Sequence, residues 1–275
     1  MLGKLIKYDI KAASRIIFSS YVFIVLCALF ARIMLIIYDM SDGTVKSISS
    51  ILFTASIFIL ILSVISACII TLVMVVLRYR NNLLRDEGYL MHTIPVSPVK
   101  LYYSKMITAM MFFISDAVVI IFSIILSGLP KHSGIGWAEL KSAMTTFHYG
   151  ALKYGVNGNF YIVCIIILFL VALYSSIAQL FASLNIGYSL PFGKGAGRDL
   201  MSIISYIVTY IITQAVILIL FITAALLSNF NFADEKSIME YTSAMLCFAI
   251  AIMAVFSIIY NVVSIKLMQK KLNLE

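Results

Sequence analysis

The chain has 275 residues, of which 63% are hydrophobic and only 12% are charged. Soluble domains carry about twice that share of charged residues, so the composition excludes a soluble globular protein and predicts an integral membrane protein. The net charge of +8 would suit nucleic-acid binding, but in a membrane protein it is the charge expected when basic residues flank the cytoplasmic ends of the spans.

The first predicted element is an amphipathic helix at residues 1–16. Leucine and isoleucine recur there at helical spacing, and three lysines and Arg15 gather on the opposite face. This pattern is typical of a helix that lies in the membrane interface. The alternative is a positively charged flank of the first span with no separate role.

Six apolar segments of about 20 residues or more predict six transmembrane helices. They cover residues 17–38, 51–77, 105–129, 160–186, 200–227 and 241–265. The predicted fold class is therefore an all-α polytopic membrane protein, with one transmembrane domain over residues 1–275.

The basic residues are distributed unevenly among the segments that join the spans. If both termini lie in the cytoplasm, fourteen of the twenty Lys and Arg residues are cytoplasmic and five are outside. The positive-inside rule therefore predicts cytoplasmic termini. Residues 78–104 then form a cytoplasmic loop and residues 130–159 an extracellular loop, in which a three-four spacing of apolar residues predicts a helix.

The second cytoplasmic loop, residues 185–199, is rich in glycine. Its sequence GKGAGR lacks the order of a Walker A motif, which favours a flexible loop over a nucleotide site. Asp199, at the end of this loop, is predicted to cap the fifth span.

Two charged residues, Arg32 and Asp116, lie within predicted spans. A charge near the bilayer centre costs about 2.5–3.5 kcal/mol on insertion scales, so such residues usually pair or face a cavity. Counted at about 1.5 Å per residue from the cytoplasmic ends, the two residues reach similar depths. This favours an intramembrane ion pair between the first and third spans. The alternative is that Arg32 extends to the outer headgroups.

The fifth span carries a face of hydroxyl and amide side chains. Polar side chains in lipid are expected to face protein or water, so either a helix interface or a transport path would satisfy them. Both interpretations stay open. The residues are Ser202, Tyr206, Thr209, Tyr210, Thr213 and Gln214.

The sequence offers little for catalysis or metal binding. The predicted spans contain one Asp, one Arg and no His, whereas intramembrane enzymes need acids, histidines or a serine with a base. His132 and His148, in the extracellular loop, are too few for a metal site without acidic or cysteine support. We therefore expect neither an enzyme nor a metal centre.

The longer cytoplasmic loop combines a short helix, a break and a restart. Apolar residues within 83–94 can share one helix face, Pro95 ends that helix, and Ser97 with Pro98 begins the next. A short helix joined stiffly to a span on each side is suited to receive force from a cytosolic partner.

The segment DEGYLMHTIPVSPVKLYYSK, residues 86–105, resembles the loop between the second and third spans of type-2 ABC exporter permeases, particularly small ones from Gram-positive bacteria. The family pattern is an acidic pair, Gly-Tyr-Leu, Leu-Pro-Val-Ser and a later Ser-Lys, and Ile94 stands here where leucine is usual. By this resemblance the residues that couple to the ATPase are Asp86, Glu87, Gly88, Tyr89 and Leu90.

The resemblance implies a permease subunit in a bacterial cell membrane, without a nucleotide-binding domain of its own. ATP and Mg²⁺ would bind to a separate ATPase, so no cofactor is expected on this chain. Two permeases, identical or homologous, and two ATPase subunits would form the transporter, and the polar face of the fifth span would be the cargo path or the permease interface. The weak polar lining favours an amphipathic or hydrophobic cargo, such as a peptide or antimicrobial compound.

Two other functions stay open. An ion-coupled carrier would need titratable residues along a path, and only Asp116 qualifies. A non-transporting scaffold or sensor subunit would still bind an ATPase, but ATP turnover would not respond to cargo.

Overall fold

The structure is a computed structural model that describes residues 2–85, 97–129, 137–153, 158–190, 196–227 and 235–270. Within these ranges the chain forms seven α-helices and no strand. The helices are α1 (Leu2–Met40), α2 (Gly43–Tyr79), α3 (Pro98–Ser127), α4 (Trp137–Lys153), α5 (Gly158–Ser189), α6 (Ala196–Leu227) and α7 (Glu235–Lys270). All except α4 are long and apolar enough to cross a membrane. This confirms an all-α, multi-pass membrane protein.

The predicted interfacial helix is helical, but it is not a separate element. α1 has 39 residues and runs through the predicted boundary near residue 16 without a break. Ala13, Ile17 and Ile24 are all buried, and their spacing places them on one face of a helix that continues across this boundary. Because this buried stripe is unbroken and no proline interrupts it, the N-terminal segment is a direct extension of the first span.

One compact unit consists of Met1–Leu77 and Ile107–Ser142. Small side chains allow its helices to approach closely: Ser56 and Ser63 of α2 are buried, and their hydroxyls bond to carbonyl oxygens of their own helix. These hydroxyls therefore need no partner on another helix. The apolar cluster beside them contains Cys27, Ala28, Ala31 and Leu60, with Leu126 and Leu129 packed against it.

The second compact unit consists of Arg78–Met106 and Ala143–Glu275. Within it, α5 packs against both α6 and α7. The contact with α6 is so close that a Cβ on Gly187 would lie 2.3 Å from the Oγ of Ser202. Only glycine leaves room for the two helices at this point.

The residues that flank the longer predicted cytoplasmic loop belong to this second unit. α2 ends in a π-helical turn, Arg80–Leu84, in which Leu83 and Leu84 are buried. α3 begins at Pro98 as predicted, and the carbonyl oxygen of Ser97 accepts the N–H of Lys100 at 2.9 Å. The π-turn ends at Leu84, where Arg85 takes an extended conformation. Residues 86–96, which hold most of the short helix predicted over residues 83–94, lie outside the described part of the chain.

α4 is the helix expected in the loop at residues 130–159. The rings of Phe147 and of Tyr161 in α5 meet in a T-shaped contact, with ring centres 5.6 Å apart. A Cβ on Gly158 would lie 2.7 Å from the Cα of His148, so the start of α5 also contacts the backbone of α4. The three-four spacing therefore predicted this helix correctly.

Candidate functional site

Asp199, in the first turn of α6, joins three side chains of the second unit. Its Oδ2 accepts hydrogen bonds from Nη1 of Arg80 at 3.1 Å and from Nη2 of Arg85 at 2.6 Å. Its Oδ1 accepts the hydroxyl of Tyr188 at 2.6 Å, and Nε of Arg85 donates to the same hydroxyl at 3.2 Å. We call these four residues the Asp199 cluster.

The cluster holds two guanidinium groups and one carboxylate. Hydrogen bonds between ionised partners are about twice as strong as neutral ones, and all three charged side chains are partly shielded from solvent. The hydrogen bond to Tyr188, reinforced by the charge of Asp199, raises the pKa of the Arg85 guanidinium. Arginine is charged at any physiological pH, so both guanidinium groups of the cluster keep their charge.

The position of Asp199 corrects the predicted capping role. α6 begins three residues earlier, at Ala196, so Asp199 lies inside the first turn and not at the cap position. Both carboxylate oxygens instead bind side chains from the end of α2 and from α5. A negative charge in the first turn also complements the positive end of the helix dipole.

Tyr79, one residue before the π-turn, forms a buried pair with Asn185 of α5. Both side chains are essentially inaccessible, at 1% and 0% exposure. Nδ2 of Asn185 donates to the Tyr79 hydroxyl at 2.8 Å, and that hydroxyl can donate to Oδ1 of Asn185 at 3.1 Å or to the sulfur of Met268 at 3.7 Å. The Tyr79 ring stacks on Phe181 with 3.9 Å between ring centres. The end of α2 is therefore fixed to α5 by both polar and aromatic contacts.

A second buried pair fixes the start of α3. The hydroxyl of Tyr102 donates to Oδ1 of Asn261 in α7 at 2.7 Å. Nδ2 of Asn261 then donates to the hydroxyl of Tyr174 in α5 at 2.8 Å. Hydrogen-bonded contacts thus hold residues on both sides of 86–96 to the α5, α6 and α7 helices.

The structure does not bring together the two charges predicted to pair. Oδ1 of Asp116 accepts hydroxyls of Tyr21 at 2.5 Å and Thr71 at 3.1 Å, and its Oδ2 has no hydrogen-bond partner. The guanidinium of Arg32 lies against Gly128, where a Cβ would be 1.9 Å from its Nη1. Gly128 follows Asp116 by twelve residues, or about 18 Å of helix. The predicted ion pair is thereby corrected to a carboxyl group bonded by hydroxyls.

The polar face predicted on the fifth span is divided in the structure. Thr213 is buried, and its hydroxyl bonds to that of Tyr260 in α7. Tyr210 and Gln214 are exposed on the surface of the second unit. Tyr206 and Thr209 are half-buried. Thr213 therefore serves packing within the chain, whereas Tyr210 and Gln214 remain available to a cargo or a partner.

The residues predicted to couple to an ATPase lie outside the described part of the chain: Asp86, Glu87, Gly88, Tyr89 and Leu90. Comparisons with protein-family models, curated proteins and solved structures found no match for the chain. The resemblance of residues 86–105 to exporter permeases therefore stays a prediction.

Proposed function

We propose that the chain is the transmembrane permease subunit of an ATP-driven ABC exporter in a bacterial cell membrane, with both termini in the cytoplasm. Separate ATPase subunits would bind ATP and Mg²⁺, and a second permease, identical or homologous, would complete the transporter. The observation that carries the proposal is the anchoring of residues on both sides of 86–96 to three apolar helices of one compact unit.

The first step is the capture of residues 86–90 by the ATPase. The acidic pair Asp86 and Glu87 would bond to basic or amide groups, and Tyr89 and Leu90 would fill an apolar groove, as in other helix-in-groove contacts. Because a flexible linker absorbs motion, force transmission needs stiff flanks. The π-turn on one side and the α3 start at Pro98 on the other meet that need.

The second step passes the motion to the spans. Arg80 and Arg85 hold Asp199 in the first turn of α6, so displacement of the π-turn pulls on this helix directly. Of the six long apolar helices in the described ranges, α6 has the smallest buried share of its most apolar window, 6%. Little of its apolar length is therefore enclosed by the rest of the chain in a way that would oppose a tilt.

The third step concerns the cargo. The exposed Tyr210 and Gln214 would face the partner permease or the cargo path when two permeases assemble. The surface around them is apolar, with Ile203 and Ile207 half or more exposed. Such a surface favours an amphipathic or hydrophobic cargo, with a peptide or antimicrobial compound as the leading class.

We expect Glu87→Ala and Tyr89→Ala to leave membrane insertion intact and to weaken binding of the ATPase about tenfold, as loss of a contact at the centre of an interface does. The measurement is co-purification with the ATPase together with transport-linked ATP hydrolysis. Substitutions at Ser189 and Lys194, near the other predicted cytoplasmic loop, serve as controls and should matter less. Full transport and normal ATPase binding by both variants would refute the coupling assignment.

Cysteines at positions 210 and 214 test the exposed polar face, in a background without the four native cysteines. We expect Tyr210→Cys and Gln214→Cys to react with water-soluble thiol reagents or to cross-link two permeases. Ile211→Cys, on a neighbouring apolar face, should do neither, because lipid excludes charged reagents. Equal and negligible reaction at all three positions would show that this face meets neither water nor a second copy.

An ion-coupled carrier is the alternative with one observation in its favour, the carboxyl of Asp116 with an unpartnered oxygen inside a long apolar helix. A relay requires further titratable groups along a path. Reconstitution of the chain alone separates the two functions. Substrate movement driven by an ion gradient without ATP would establish the carrier, and strict dependence on the ATPase would support the exporter.

A further inference from the structure

Asp116 is the centre of a polar cluster in the first compact unit. Tyr21 comes from α1, Thr71 from α2, and Ser115 with Asp116 from α3; we call these four residues the Asp116 cluster. Asp116 is 5% exposed and Thr71 0%. The cluster has no role in the proposed coupling to an ATPase, and its arrangement of hydrogen-bond donors is unusual.

No hydroxyl among the described residues bonds to Oδ2 of Asp116. Tyr21 and Thr71 both donate to Oδ1, at 2.5 and 3.1 Å. Ser115 lies 2.6 Å from the Tyr21 oxygen and donates to the carbonyl oxygen of Phe112 at 2.8 Å. Oδ2 is inaccessible and has no partner.

This asymmetry distinguishes the two forms of a carboxyl group. An ionised carboxylate divides its charge equally between two oxygens, so a charged Asp116 would leave half of that charge on a buried, unpartnered atom. Such burial is strongly unfavourable in an apolar medium. A neutral acid, in contrast, has one carbonyl oxygen that accepts hydrogen bonds and one oxygen that carries the proton. Two donors on Oδ1 and none on Oδ2 match the neutral acid.

The groups that face Asp116 supply no compensating positive charge. The titratable ones are Tyr21 of α1 and Cys68 of α2, and neither is a cation. Arg32, the cation within the first span, lies against Gly128 beyond the end of α3. Among the described residues of this unit, hydroxyl groups alone bond to the carboxyl group.

We propose that Asp116 is a proton-binding site within the membrane. It is held as the neutral acid at neutral pH, with Oδ1 as the carbonyl oxygen and the proton on Oδ2. The proton is taken up from water, and no other bond changes. The Tyr21 and Thr71 hydroxyls fix which oxygen stays unprotonated, and the proton can leave only when water or a cation reaches Oδ2.

Infrared spectroscopy of the full chain in lipid bilayers tests this assignment. The difference spectrum between wild type and Asp116→Asn at neutral pH should contain a carboxylic-acid carbonyl band that shifts in D₂O and does not depend on Na⁺. Asparagine keeps the oxygen that accepts from Tyr21 and Thr71, so the rest of the spectrum should match. Carboxylate bands in place of the acid band, with or without Na⁺ dependence, would overturn the proposal.

Tyr21→Phe gives a second measurement that does not need the asparagine variant to fold. Loss of one hydrogen bond to Oδ1 should move the acid carbonyl band of Asp116 to higher frequency. Thr54→Val, at a hydroxyl on α2 that bonds only to its own helix backbone, is the control and should leave the band unmoved. A Tyr21→Phe difference spectrum that contains only carboxylate bands would overturn the proposal independently.

Discussion

Replacement of Asp199 by alanine should destabilise the protein more than replacement of either arginine that it binds. The carboxylate accepts three hydrogen bonds, and its loss leaves two guanidinium groups close together without a counter-charge. Hydrogen bonds to charged groups contribute about 1.5–3 kcal/mol each, less where solvent screens them, so we expect a total loss of about 2–4 kcal/mol. Thermal unfolding of the purified protein in detergent measures it.

Arg80→Ala should lower the free energy of unfolding by only about 1 kcal/mol, because Arg85 and Tyr188 still bind the Asp199 carboxylate. The control is Lys11→Ala, at an exposed charge in the interior of α1, which should change the free energy of unfolding by no more than about 0.5 kcal/mol. The Arg85→Ala, Asp199→Ala double variant should lose less stability than the sum of the two single losses. An unfolding temperature for Asp199→Ala equal to that of Lys11→Ala would contradict the structural role of the cluster.

The Asp199→Ala variant also separates binding of the ATPase from coupling to export in the proposed exporter. Asp199 is not one of residues 86–90, the proposed contact with the ATPase, so Asp199→Ala should still bind the ATPase. If α6 is moved through Asp199, the assembled transporter should hydrolyse ATP with export reduced or lost. Normal export by a folded Asp199→Ala variant would leave the coupling function to other contacts, such as that of Tyr102 with Asn261.

The spans were predictable from sequence because they follow from composition over about 20 residues. Lipid requires long apolar helices whatever their neighbours are. Five of the six predicted segments therefore fall inside one described helix each, and the third passes the end of α3 by two residues. The continuity of α1 was not predictable in the same way. A basic amphipathic segment fits both a separate interfacial helix and a helix continuous with the span, and the sequence does not show whether a break near residue 16 divides them. In the structure α1 runs through this point, with Ala13, Ile17 and Ile24 buried.

Which side chains become partners depends on how each helix is rotated about its own axis and on tertiary packing. A single sequence contains neither. Depth along the helix suggested that Arg32 meets Asp116, but depth leaves open which face of each helix meets which neighbour. Asp199 was given a local role because capping is a local rule, whereas its arginine partners are 119 and 114 residues away in the chain. The coupling role predicted for residues 86–90 rests on the resemblance, on their place in the longer predicted cytoplasmic loop and on the stiff join that Pro95, Ser97 and Pro98 predict. These coupling residues lie outside the described part of the chain.

Asn185→Leu, in the core of the second unit, should lower the free energy of unfolding by about 2–4 kcal/mol, as much as Asp199→Ala. Without the amide, the buried Tyr79 hydroxyl keeps only the weak Met268 sulfur acceptor at 3.7 Å. An unsatisfied buried hydroxyl costs about 1–3 kcal/mol, and the different shape of leucine adds strain. Gln214→Leu, the same change of an amide on the exposed surface of α6, is the matched control and should not lower the unfolding temperature.

The double variant Tyr79→Phe, Asn185→Leu distinguishes a lost hydrogen bond from a general packing defect. It removes both polar partners and keeps the ring that stacks on Phe181, so no buried group is left unpaired. We therefore expect it to unfold at a higher temperature than Asn185→Leu alone, since apolar replacement of both partners is nearly neutral. Additive losses in the double variant would mean that the pair contributes through shape alone. Recovery would show that the bond of Tyr79 to Asn185 fixes the end of α2 to α5, the contact through which the flank of residues 86–96 is held.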